Sequence, residues 1–113
     1  MSFFETRELH PKEALRTRWY QCSYEEAKTA VMRTANELGY NVVDVNDTFH
    51  EMLLEGANDI VVKIVSYTRY EQGIDFTVTT PWLFDLGRSS RLVDRLYTNI
   101  GKYVKFKGVS LHI

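Results

Sequence analysis

The chain predicts an α+β domain, one antiparallel sheet with two helices packed on one face. Three observations carry that prediction. Apolar side chains recur at helical spacing over residues 23–38 and again over 88–104. Between these stripes lie four runs rich in Val, Ile, Phe, Tyr and Thr, near 40–46, 49–55, 60–68 and 73–80. The connections between the runs are short, and a parallel return needs a crossover of about a dozen residues or more, so neighbouring strands must be antiparallel.

The bulk numbers fit one domain over residues 1–113, with 1–14 as an N-terminal arm whose place the sequence does not fix. A content of 44% hydrophobic and 13% aromatic residues suffices for a core, and 26% charged residues suits a folded chain rather than a disordered one. No 18-residue apolar run occurs, and Glu5 and Glu8 stand where a secretory leader needs apolar residues. Cys22 is the lone cysteine, which excludes an internal disulfide. The expectation is a reducing, cytoplasmic setting without a membrane span.

Taken in order, Pro11 is placed to open a helical turn through Lys12, Glu13 and Ala14. Phe3 and Phe4 then need burial. Residues 16–22 alternate as a first strand, with Thr17 and Trp19 on one face and Arg16, Arg18 and Tyr20 on the other. Ser23 and Glu26 form a capping-box pair at the start of the first helix. Its stripe runs through Ala27, Ala30, Val31, Ala35 and Leu38, and Gly39 sits where a left-handed terminating residue is wanted.

Strands over Tyr40–Asn46 and Phe49–Glu55 follow, joined at Asn46-Asp47-Thr48. Gly56-Ala57-Asn58 turns the chain into Ile60–Thr68, and residues 69–73 turn it into Ile74–Thr80, which Pro81 ends. The second helix begins near Gly87–Ser89 and buries Leu92, Val93, Leu96, Ile100 and Val104. Gly101 inside it costs about 1 kcal/mol relative to alanine or marks a bend. Val109–Ile113 alternates like a strand able to join a sheet edge. The order strand, helix, four strands, helix resembles one half of a TATA-box-binding protein in its sequence of elements alone. A small helix-grip fold is the alternative. No residue motif accompanies the likeness, so no function transfers with it.

Strand alternation assigns Met52, Leu54, Ile60, Val62, Ile64, Ile74, Phe76 and Val78 to the helix-covered face. The open face then shows Leu53, Val61, Val65 and Tyr67 among Glu51, Glu55, Lys63, Asp75, Thr77 and Thr79, joined by Arg18 and Tyr20. Such a mixed face suggests a contact surface. Its acids argue against duplex DNA on the sheet, because phosphate contact needs clustered Lys and Arg. In the 81–87 connection, Trp82, Leu83, Phe84 and Leu86 read first as a plug over the core, with a partner hot spot at Trp82 and Phe84 as the sharper alternative.

Arg88, Arg91 and Arg95 share one helix face, and Lys102 continues it, giving an anion-binding candidate beside the plainer reading of a solvated face. Residues 88–113 hold six bases against Asp94 alone, a net +5, while the remaining eight bases and fourteen acids leave −6 over 1–87. His10, His50 and His112 lack the spacing of metal ligands, His50 faces away from Glu51 on its strand, and no glycine-rich phosphate loop is present. Neither cofactor nor metal is expected, and no catalytic residue stands out.

Three functional expectations follow. The first is a binding or adaptor domain that self-associates through the open face or a sheet edge, with Trp82, Phe84, Leu53, Val65 and Tyr67 as contacts. The second is a small-ligand site lined by Trp19, Tyr40, Phe76, Trp82 and Tyr97. The third is a thiol enzyme using Cys22 at a helix start, which ranks below an inert buried thiol.

Overall fold

The computed structural model describes residues 2–113. The elements in order are strand β1 (Ser2–Glu5), a 3-10 turn (Glu13–Leu15), β2 (Arg18–Gln21), helix α1 (Tyr24–Glu37), β3 (Asn41–Asn46), β4 (Glu51–Glu55), β5 (Asp59–Thr68), β6 (Glu71–Thr80), α2 (Arg88–Ile100) and β7 (Lys105–Val109). All pairings are antiparallel, and the sheet runs β3-β4-β5-β6-β2-β7. β1 lies beside β6 in line with β2, pairing Ser2–Glu5 with Thr77–Thr80 while β2 takes Gln72–Ile74. The predicted α+β architecture is present, with one added strand before it and one after.

Both helices lie on the face that carries Leu54, Ile60, Val62, Ile64, Ile74, Phe76 and Val78, all almost fully buried. The capping box forms as its spacing requires. Ser23 Oγ accepts from Glu26 N–H (3.1 Å), and Glu26 Oε1 accepts from Ser23 N–H (2.9 Å). Ala27, Ala30 and Ala35 have no exposed surface, so α1 approaches the sheet closely, and Gly39 ends it at φ 84°. α2 stops at Ile100 with Gly101 as its cap. The glycine therefore terminates the helix rather than bending it, and Val104 packs from beyond the end.

Four local expectations are corrected. Arg18 and Tyr20 do share a face, but it is the helix face: Tyr20 is in the core, its hydroxyl donates to Tyr97 O (3.1 Å), and the Arg18 guanidinium lies 4.7 Å over the Tyr97 ring. Trp19 consequently sits on the opposite face. Phe49 and His50 belong to a four-residue turn rather than to β4. Asn46 Oδ1 accepts from Phe49 N–H (3.0 Å), and His50 takes φ 55° and stacks on Tyr24. β6 begins at Glu71, where Glu71, Gln72 and Gly73 pair with Thr68, Ser66 and Val65, and Gly73 lets the Trp19 ring lie directly on it: a Cβ there would fall 2.8 Å from the indole. The final strand is Lys105–Val109, not Val109–Ile113. At Ser110 the chain turns (φ 52°) and folds back toward Glu8.

Part of the back of the sheet is therefore covered. Thr6 and Thr17 each donate to Asp75 Oδ1 at 2.7 Å, and burial raises the Asp75 carboxyl above its ordinary range. Trp19 Nε1–H donates to Glu8 Oε1 (2.7 Å), and Glu8 Oε2 accepts from His112 N–H (2.8 Å). Glu71 holds Lys107 and His112, and the His112 ring stacks on Tyr67. The rest of that face, around Leu53, Val61, Lys63 and Val65, is bare or half-exposed. Phe4 packs against the core as expected, but Phe3 points the other way and is exposed.

Candidate functional site

A cleft of about 360 Å³ opens where the end of α1, the β4–β5 turn, the β6–α2 connection and α2 converge. Each contributor is placed by a local rule. Gly39 swings the chain out of α1 so that Tyr40 N–H reaches Ala35 O (2.7 Å) and the tyrosine enters the core. The Tyr40 ring then rests on Gly56, where a Cβ would approach to 2.7 Å. This contact fixes the β4–β5 turn against α1 and brings Asn58 beside the tyrosine hydroxyl. Asn58 Nδ2–H donates to Tyr40 Oη at 3.0 Å.

Asn58 is 7% exposed, and its Oδ1 has no hydrogen-bond partner among the described residues. A buried acceptor without a donor costs about 1–3 kcal/mol. Turning the amide over does not remove the problem, since Tyr40 can serve only one end of it and the other end is left free. Asn58 lines the cleft, and its unpartnered Oδ1 is closed off from solvent beneath that lining.

α2 supplies the wall. Its first turn is fixed by Asp85, whose carboxylate accepts from Ser89 N–H (2.9 Å) and from the Ser89 hydroxyl (2.5 Å). Those donors hold the Asp85 carboxyl below its usual range. With Leu92, Val93 and Leu96 turned to the core, the helical repeat sends Arg88, Arg91 and Arg95 to the cleft side. All three are exposed, and none lies within 4.0 Å of a carboxylate among the described residues. The Arg88 guanidinium sits 5.6 Å over the Trp82 ring, whose own position is set by stacking on Phe4 at 6.4 Å. Three guanidinium groups beside an apolar wall make a cleft of positive potential, in which each fork can grip an oxyanion through paired N–H donors.

The structure gathers Arg88, Arg91, Arg95, Trp82 and Tyr40 at this one place. Lys102 lies two turns further along and lines a separate, shallower groove with Arg95 and Asn99. The aromatic pocket expected from Trp19, Tyr40, Phe76, Trp82 and Tyr97 does not form as a unit. Phe76 and Tyr97 fill the core with ring centroids 5.0 Å apart, and Trp19 is across the sheet. Leu53, Val65 and Tyr67 are on the back face, so they form no common patch with Trp82, and Tyr67 is engaged by His112. Of the expected plug only Trp82 packs inward, while Leu83, Phe84 and Leu86 stand in solvent. Cys22 is buried, and burial pushes its thiol up to about 11, so little thiolate is present near neutrality.

Asn58 is the functional candidate that the sequence hid, because Gly56-Ala57-Asn58 carries only the signature of a turn. Comparison with protein-family models finds no match, and comparison with curated proteins finds none either.

Proposed function

We propose that this chain is a binding module for a small anionic ligand, a phosphate or carboxylate that also bears a hydroxyl, held in the cleft between α2 and the β4–β5 turn. What carries this reading is the joint presence there of three guanidinium groups without carboxylate partners and a buried amide with one free end. The arginines supply charge-assisted N–H donors to the oxyanion. A hydroxyl both donates and accepts, so it matches the free end of Asn58 whichever way the amide is turned, once the β4–β5 turn shifts enough to admit it. The electrostatic argument is local, because the chain as a whole is at −1.

Isothermal titration calorimetry with glycerol 3-phosphate and with inorganic phosphate is the test. Binding is expected to be tighter for glycerol 3-phosphate, and to be lost in the Arg91→Gln/Arg95→Gln double variant. Absence of heat for every phosphate and carboxylate tried would remove the proposal.

A second reading rests on the bare part of the back face, where Val65 is 37% exposed and Leu53 and Val61 are half-exposed. Self-association through that area predicts a concentration-dependent mass in size-exclusion chromatography with light scattering. A monomer at every concentration would end it.

A further inference from the structure

The residues between the cleft's Trp82 and its Arg88 do something that folding does not ask of them. Leu83 is 85%, Phe84 73% and Leu86 72% exposed, three large apolar side chains within four residues of one loop. The loop is not loose. Trp82 N–H donates to Thr80 Oγ1 (3.3 Å) at one end, and Arg88 N–H donates to Asp85 O (2.8 Å) at the other. Asp85, exposed like its neighbours, has its carboxylate held by Ser89, so the three large apolar side chains flank a single fixed acid. Leu86 takes φ 51°, a left-handed conformation that a bulky residue adopts at a cost, and it does so without burying its side chain. Strain and exposure together are spent on presenting a greasy tip on the rim of a cationic cleft.

On that basis, and resting on the anion-binding reading above, we propose that the cleft takes the headgroup of an anionic, hydroxyl-bearing phospholipid at a membrane surface. In this arrangement Leu83, Phe84 and Leu86 enter the boundary between headgroups and acyl chains. The chemistry of the two parts fits such a surface layer by layer: guanidinium groups at the depth of phosphate, and leucine and phenylalanine one step deeper. Free phosphate compounds would satisfy the arginines but give the loop nothing to bury. A second copy of the chain meeting this patch about a two-fold axis would set one arginine cluster against its own image, which like-charge repulsion opposes. No helix among the described residues is long and apolar enough to cross a membrane, so the proposed attachment is to one surface.

The experiment is co-sedimentation of the full chain with vesicles of phosphatidylcholine alone and of phosphatidylcholine mixed with phosphatidylglycerol, alongside calorimetry with glycerol 3-phosphate. The chain is expected to sediment with the mixed vesicles and not with the neutral ones. Arg91→Gln/Arg95→Gln should weaken partition roughly 25-fold, since each arginine near an anionic surface contributes about fivefold. Leu83→Ser/Phe84→Ser should weaken it by about tenfold or more through lost apolar burial. Both variants change solvent-exposed positions, and unchanged thermal melts would show that their fold is intact. Glycerol 3-phosphate binding without vesicle binding would overturn the lipid proposal while leaving the anion reading standing. Binding to neither would end both. Vesicle binding indifferent to Leu83→Ser/Phe84→Ser, or to the arginine pair, would also overturn it, because adsorption would then need only one half of the proposed site.

Discussion

The two tryptophans of this chain mark two corners built on opposite principles. Around Trp19 the polar groups close on one another: its indole N–H meets Glu8, Glu8 also holds the returning tail, Glu71 holds Lys107 and His112, and Asp75 is held by two threonines. Around Trp82 they do not. Among the described residues three arginines stand without carboxylates, Asn58 keeps a free end, and three large apolar side chains are in water. Buried polar groups that satisfy each other are architecture. Polar and apolar groups left unmatched beside a cleft are capacity for something else, and this difference, more than any motif, locates the candidate site.

The comparison is broken most directly by truncating each ring. Trp19→Ala should cost about 3–5 kcal/mol in urea denaturation, since it removes a buried ring and leaves Glu8 Oε1 without its donor. Trp82→Ala should cost clearly less, being only half-buried. Equal losses would mean that both corners are structural.

The Asp75 carboxyl sharpens the same contrast through pH. Its folded pKa is raised by burial above the ordinary 3.8, so between the two values the folded state binds more protons than the unfolded one. Its contribution to stability is therefore fully present below the unfolded value and is lost as pH rises through the folded value. Asp75→Asn should stabilise the protein near neutrality and lose that advantage at acid pH, as read from thermal melts across the range. A difference that does not change with pH would remove the buried carboxylate from the account of the back face.

Smaller effects belong to the other corner. Leu86→Gly relieves the left-handed strain but loosens the unfolded chain, for a net gain of about 0.5–1 kcal/mol in thermal or denaturant unfolding. Arg91→Gln/Arg95→Gln should shift stability by only about 0.5 kcal/mol, because nothing in the fold pairs with those groups. A large loss from the arginine variant would assign the cluster to structure after all.

Local rules made much of the fold legible. The Ser23–Glu26 box, the alanine stripe ending at Gly39, the short turns and the second apolar stripe each state their consequence within a few residues. What escaped depends on distant partners. β1 is four residues long and becomes a strand only because Thr77–Thr80 offers a free flank. Alternation says that Arg18 and Tyr20 share a face but not which one; the answer lies in Tyr97, whose ring takes the guanidinium. The arginine row was readable from its spacing. Its convergence with Asn58 and Tyr40 was not, because an unpartnered amide is defined by everything around it. The 81–87 segment misled for a related reason, since apolar residues in a connection read as cover for a core when only Trp82 takes that role.

The long strand β6 carries β1 and β2 end to end on one flank, with Asp75 and Phe76 at the junction. Such a flank can unzip in two separate steps. Phe4, in β1, is the ring on which Trp82 leans, so peeling that strand away would free the cleft's aromatic wall while the β2 seam stayed shut. The site is thus hinged on a strand that pairs on one side only, and its shape is coupled to the fraying of four residues far away in sequence.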